Sequence, residues 1–152
     1  MLFALALLAG VVAGSRTFTA LAAVSWAARL GHLNLDDSLL AFMGYAWTPW
    51  IFTLLAVVEL VADQLPRTPS RKVPIQFGAR IVSGAVSGAT IGAAAGSWIG
   101  GLIAGVIGAV IGTYGGAEIR SQLAKAFGRD QPAAFIEDAA AIILGLIIFW
   151  AL

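Results

Sequence analysis

Six ionisable residues lie within or at the ends of apolar stretches of this 152-residue chain, and their types could bind an ion or a proton. They are Arg16, Glu59, Asp63, Arg80, Glu137 and Asp138. A charge near the centre of a bilayer costs about 2.5 to 3.5 kcal/mol on insertion scales, so such residues usually face the protein interior and mark functional sites. We therefore expect these six residues to form a substrate- or ion-binding cluster.

Glu59 and Asp63 are four residues apart and share one face of a helix. Their negative charges repel each other unless a cation intervenes or one carboxyl group keeps its proton. Arg16 and Arg80 are the expected cations. Two interpretations stay open: a site that binds a solute, or a salt-bridge network that only fixes the register of the helices.

Glu137 and Asp138 are neighbours and point about 100° apart on a helix. We expect one of them to enter the cluster and the other, with Asp138 favoured, to stabilise the amino terminus of its helix. Glu118 and Arg120 lie where a helix leaves the membrane, so both are predicted to be solvated.

No feature of the sequence predicts an enzyme. The single histidine, His32, lies in a loop, and the chain has no cysteine. No nucleotide-binding motif, metal site or paired nucleophile and base is present in the sequence, so we expect neither a cofactor nor a metal. Ser83 and Ser87 are interpreted as small packing residues.

Composition predicts an integral membrane protein. Hydrophobic residues make up 60% of the chain and charged residues 11%, with a mean hydropathy of +0.92, whereas soluble domains carry about a quarter charged residues. Each crossing needs roughly 20 apolar residues. The expected fold is an all-α, polytopic bundle of five or six transmembrane helices in one domain, with the lipid bilayer as partner. The net charge of +1 says little about partners, and the lack of a basic run argues against nucleic acid.

The apolar pattern predicts helices over about 2–30, 47–65, 77–95, 102–127 and 133–152. The first exceeds a hydrocarbon core of about 30 Å, so a break near Gly14 is one option and would add a sixth span. Loops 64–76 and 118–132 are predicted to be cytoplasmic because they hold most of the basic residues. These are Arg67, Arg71, Lys72, Arg120, Lys125 and Arg129.

Glycine recurs at every fourth position from 84 to 116, with Ala104 at the one gap. A repeat of four drifts by roughly 40° per step on a helix, so two helices that meet at a turn over 96–101 must share it. Small residues let helix backbones approach closely in lipid, which predicts a glycine zipper within the fold or a homo-oligomer; a glycine-lined pore is the alternative. The packing residues are Gly84, Gly88, Gly92, Gly96, Gly108, Gly112 and Gly116.

Two short patterns recur. Gly14-Ser15-Arg16 is echoed by Gly78-Ala79-Arg80, and Val58-Glu59-Leu60 by Ala117-Glu118-Ile119. An internal duplication of segments 1–68 and 73–152 and chance matches in a glycine-rich sequence both stay open.

These residues resemble an uncharacterised bacterial membrane family filed as domain of unknown function 4126. The matching segments extend over most of the chain: Gly14-Ser15-Arg16, Glu59-Leu60-Val61-Ala62-Asp63, Leu65-Pro66, Thr68-Pro69-Ser70-Arg71, Gly78-Ala79-Arg80 with Ser83-Gly84, and Glu137-Asp138. The resemblance implies a small multi-span protein of the bacterial cytoplasmic membrane with a recurring charged cluster, and it implies no activity.

Two functions are compatible with the sequence. In a transporter or channel for a small ion or polar solute, Glu59 and Asp63 would hold a proton or cation, while Arg16 and Arg80 would balance charge or bind an anionic group. In a structural or assembly protein, the glycines and salt bridges would only set a homo-oligomer.

Overall fold

The computed structural model describes residues 1–36, 38–64 and 73–152. Within this part of the chain there are six α-helices, one short 3-10 helix and no strand, which confirms the all-α prediction. The α-helices are α1 Leu2–Ser15, α2 Thr17–Arg29, α3 Thr48–Ala62, α4 Pro74–Ala94, α5 Trp98–Phe127 and α6 Asp130–Ala151; the 3-10 helix is Ala41–Gly44. The predicted connector over 64–76 lies mostly outside the described residues.

The long first helix is broken at Arg16. This residue has an extended backbone, with φ −136° and ψ 108°, and it separates α1 from α2. Gly14 belongs to the last turn of α1, so the break falls two residues after the glycine. Each half is short, with 14 residues in α1 and 13 in α2.

Three helices begin three or four residues earlier than predicted: α6 at Asp130 rather than after Pro132, and α4 and α5 for the local reasons that follow. α5 begins at Trp98 because the Ser97 side chain accepts a hydrogen bond from the Gly100 amide, so the turn before it ends earlier than Gly101. α4 begins at Pro74, where proline lacks only an amide that would have no partner in a first turn.

Contacts between the helices fix their directions. α1 runs parallel to α5, because Gly10 contacts Gly105 and Gly14 contacts Ala109. α4 runs antiparallel to α5, because Gly84 contacts Ala109 while Gly88 contacts Gly101.

Contacts also fix the directions of α2, α3 and α6. α2 and α3 are antiparallel, because Trp26 Nε1 donates to Thr53 Oγ1 while the Thr17 amide donates to Glu59. α6 runs parallel to α2, because its Gly145 lies beside Thr19 and its later residue Phe149 stacks on His32. α2 runs parallel to α4, because Ser83 contacts Thr17 while residues 38–40, which follow α2, line a cavity with Ala89 and Ala93. Successive α-helices therefore alternate in direction. α1 to α4 each have one end at the level of Arg16, whereas the α5–α6 hairpin extends about two turns beyond it.

Glycines of α4 pack directly against the backbone of α5. A Cβ atom on Gly84 would lie 2.7 Å from the Gly105 carbonyl oxygen, and one on Gly92 would lie 2.6 Å from the Gly101 Cα atom. Gly88 meets the same two α5 glycines. Real Cβ atoms do not approach other atoms this closely, so only glycine permits this separation of the helices.

α1 packs against α5 by the same means. Gly108 and Gly112 of α5 contact the backbone of Leu7 and Val11, and a Cβ atom on Gly112 would lie 2.8 Å from the Val11 carbonyl carbon. α1 also contacts α2, α4 and α6. α2 likewise contacts four α-helices, α1, α3, α4 and α6, so α1 and α2 share the centre of the bundle, a position that the sequence pattern had favoured for the 77–95 segment.

Five glycines depart from the predicted packing set. Gly96 lies in the exposed turn between α4 and α5 with φ +77°, a backbone conformation that favours glycine, and nothing lies within 4 Å of its Cβ position. Its predicted packing role is wrong. Gly10 and Gly14 of α1 pack against α5, and Gly101 and Gly105 of α5 pack against α4; these four glycines were not in the predicted set. Gly116 is partly buried, and its packing role stays a prediction.

Large apolar side chains cover the outer faces of the helices. They include Ile51, Leu54, Val58, Ile103, Ile107, Ile111, Ile143, Leu146 and Ile147. α5 and α6 are the described helices long and apolar enough to cross a membrane, while α1 and α3 are shorter apolar helices. The number of membrane crossings therefore stays a prediction.

Replacing Gly105 by alanine is expected to destabilise the fold, because the new Cβ atom would meet the Gly84 carbonyl oxygen. Overpacking of this kind costs about 1–3 kcal/mol in the free energy of unfolding. Gly115→Ala is the matched control: it lies in the same helix with nothing within 4 Å of its Cβ position. SDS titration of micellar protein, followed by circular dichroism, measures both. Equal stability of the two variants would contradict the packing described for Gly105.

Candidate functional site

The candidate site is built around the break between α1 and α2. A helix that begins inside an apolar protein exposes amide groups that have no partner within the helix. Here the carboxylate of Glu59 from α3 accepts hydrogen bonds from the Thr17 amide at 2.7 Å and the Phe18 amide at 2.9 Å. Its negative charge also lies at the positive end of the α2 dipole. Glu59 therefore caps α2 from a different helix.

The carbonyl end of α1 is capped by a side chain of the opposite charge. Arg80 of α4 is 3% exposed, and its Nη1 donates to the Gly14 carbonyl at 2.9 Å and to the Ser15 carbonyl at 2.6 Å. A cation is favourable at a helix carboxyl terminus. The next turn of α4 contributes Ser83, whose hydroxyl donates to the Thr17 carbonyl. Each half of the broken helix thus has a cap whose charge complements its dipole.

The side chain of Arg16, at the break, is fully buried and contacts acidic residues from two other parts of the chain. Its Nε donates to Asp138 Oδ1 at 2.6 Å, and its Nη1 contacts Asp63. The second oxygen of Asp138 accepts from Gln64 Nε2 at 2.7 Å. The buried guanidinium therefore has charged and hydrogen-bonded partners, without which its burial would be prohibitive.

A second arginine lies next to this buried group. Arg120 of α5 binds both carboxylate oxygens of Asp130, at 3.0 and 2.5 Å. Its Nη1 also lies 3.4 Å from Glu137 Oε2, which in turn is 3.5 Å from Arg16 Nη2. Arg120 is thus part of the cluster, and its predicted solvation is wrong.

The structure brings all six predicted site residues to one end of the molecule. The prediction that only one of Glu137 and Asp138 enters the cluster is wrong, because both contact Arg16. Neither caps α6, since that helix begins at Asp130, two turns earlier. Arg120 was missed because a charge near a helix end is usually solvated. Its position ten residues before Asp130, across the turn between α5 and α6, is the sequence signal that indicates the pair.

The cluster can act chemically by exchanging ion-pair partners. Within the described ranges, no group of three acidic or histidine side chains is arranged to hold a metal ion. Asp63 and Glu137 instead lie between two arginines, so protonation or a competing ion can redistribute these contacts.

Replacing Asp138 by asparagine is expected to lower the free energy of unfolding by about 3 kcal/mol, because a buried arginine loses its main counter-charge. Glu118→Gln is the control, since Glu118 is exposed and binds Gln122, and its effect should stay within about 0.5 kcal/mol. The double variant Arg16→Gln with Asp138→Asn should lose less stability than the sum of the single variants. Additive losses in a double-mutant cycle would show that the two residues are not coupled.

Comparisons with known proteins agree with the resemblance seen in the sequence. The chain matches the family described as domain of unknown function (DUF4126) over residues 3–151. No curated protein matches the chain, and neither does any solved structure. Because the match covers nearly the whole chain, the protein belongs to the DUF4126 family.

Proposed function

We propose that this protein is a polytopic integral membrane transporter or channel for a small ion or polar solute, and that the cluster around Arg16 is its binding site. The observation that carries the proposal is the helix broken at a buried arginine, with the two free helix ends held by Glu59 and Arg80. Broken helices of this kind form the substrate and ion sites of many secondary transporters.

The alternation of helix directions supports six membrane segments, in which α1 and α2 form a hairpin. With 14 and 13 residues, these two helices are about 21 and 20 Å long, which is less than a hydrocarbon core of about 30 Å. Their shared end at Arg16 would lie below the cytoplasmic surface. The basic segments 64–76 and 118–132, of which the second comprises the end of α5 and the start of α6, would be cytoplasmic, with both chain termini on the opposite side.

In the proposed mechanism, an anionic group competes with the Glu59 carboxylate for the amides at the start of α2. The free amides at the amino terminus of α2 form a site for negative charge, which Glu59 fills. Protonation of Glu59 weakens its hydrogen bonds with the two amides and makes that site available to another negative charge. An anionic group could then replace the carboxylate, while Asp63 provides a second acid for proton exchange beside Arg16.

The alternative is a structural or assembly protein, which is favoured by a different observation. Arg16 is fully buried and already contacts three acids of the same chain, and buried ionic groups can specify geometry without chemistry. Under this alternative, the glycine zipper of α1, α4 and α5 would hold a bundle that joins other copies of the chain.

Flux measurements in proteoliposomes separate the two functions. We expect the wild-type protein to dissipate an imposed proton, sodium, potassium or chloride gradient. Entrapped pyranine reports the proton flux. Glu59→Gln and Arg16→Gln should reduce that flux by about tenfold or more, a factor equivalent to about 1.4 kcal/mol. Glu118→Gln, which removes an exposed acid outside the cluster, should leave it unchanged.

Each variant must elute from size exclusion as wild type does. Absence of flux for every tested ion, from a folded wild-type protein, would contradict the transport proposal for these ions. Flux that survives both cluster substitutions would contradict the assignment of the cluster as its site.

A further inference from the structure

The two arginines of the cluster form an inner and an outer layer. Side-chain exposure is 0% for Arg16, 10% for Glu137, 13% for Asp63, 16% for Arg120 and 61% for Asp130. The order of exposure follows the order of contacts from Arg16, through two shared acids, to Arg120 and then to Asp130. Arg120 therefore lies between the buried guanidinium and the water at the α5–α6 turn.

Both shared acids contact both arginines. Glu137 Oε2 lies 3.5 Å from Arg16 Nη2 and 3.4 Å from Arg120 Nη1. Asp63 Oδ2 contacts Arg16 Nη1 and lies 3.9 Å from Arg120 Nη1. Movement of Arg120 away from the cluster would consequently leave both acids with Arg16 as a partner, so the inner pairs can persist while the outer layer opens.

Arg120 also connects parts of the chain that are separate in sequence. It belongs to α5, it binds Asp130 and Glu137 of α6, and it approaches Asp63 at the end of α3. The Asp130 contact uses two hydrogen bonds in the fork geometry that orients a guanidinium. This anchor holds the Arg120 side chain over the cluster.

We propose that Arg120 is a positioning residue that closes the Arg16 cluster at the α5–α6 end. Release of Arg120 from Glu137 and Asp63 admits water and small solutes to Arg16. Under the proposed function this release is the cytoplasmic opening step, and the closure itself can be tested without any measurement of transport.

The absence of cysteine allows a thiol reporter to test the closure. Ala134 of α6 is 1% exposed and lies one turn before Asp138 on the same helix face. In an Ala134→Cys background, Arg120→Gln should raise the rate of modification by iodoacetamide by about tenfold or more, because local opening is no longer opposed by charge-assisted hydrogen bonds. Asp130→Asn should act in the same direction, because the orienting anchor is lost.

Three matched controls accompany this measurement. Lys125→Gln removes an exposed positive charge from the same helix and should leave the rate at Ala134→Cys unchanged. Ala126→Cys, at an exposed position of α5, should react rapidly with or without Arg120. Ala27→Cys, at a fully buried position of α2, should react slowly in both backgrounds.

An unchanged rate at Ala134→Cys in Arg120→Gln would overturn the closure. An equal rise at Ala27→Cys would also overturn it, because Arg120 would then hold the whole fold rather than one opening. A selective rise at Ala134→Cys, in a protein that conducts no tested ion, supports the closure and counts only against the transport proposal.

Discussion

Backbone groups freed by a helix break have no water to bind inside an apolar bundle, so other side chains of the protein must lie at the break and form hydrogen bonds with them. The break at Arg16 leaves amides at the start of α2 and carbonyls at the end of α1. Glu59 accepts hydrogen bonds from the amides, and Arg80 donates hydrogen bonds to the carbonyls. Each side chain carries the charge that the local helix dipole favours. The ends of α3 and α4 must therefore meet at the break, and the helices are arranged accordingly.

Close packing of α1, α4 and α5 brings these caps to the right place. Gly14 contacts the α5 backbone while its own carbonyl accepts a hydrogen bond from Arg80. Gly84, four residues after Arg80, contacts Gly105 of α5. A larger side chain at these glycines would separate the helices and would carry the arginine away from the α1 carbonyls. The small residues and the charged residues are thus parts of one arrangement.

The sequence predicted that Arg16, Glu59, Asp63 and Arg80 would lie together, because charges in apolar segments need partners, but it favoured Asp138 as a helix cap rather than as a partner of Arg16. It also located the broken helix to within two residues. The pairings could not be predicted: Glu59 binds amides rather than a cation, a choice that depends on how α3 packs beside α2. Arg120 was missed because a charge near a helix end is usually solvated, whereas its acidic neighbours come from two other segments of the chain. Gly96 was misassigned, since a regular spacing does not distinguish a turn glycine from a packing glycine.

The central claim is that Glu59 holds the start of α2, and amide hydrogen exchange of Thr17 and Phe18 tests it most directly. By NMR on micellar protein, both amides should exchange slowly in the wild type, and Glu59→Ala should accelerate these two more than the amides of Leu21 and Val24 within the same helix. Rapid exchange of Thr17 and Phe18 in the wild type, or equal acceleration along all of α2, would contradict the account.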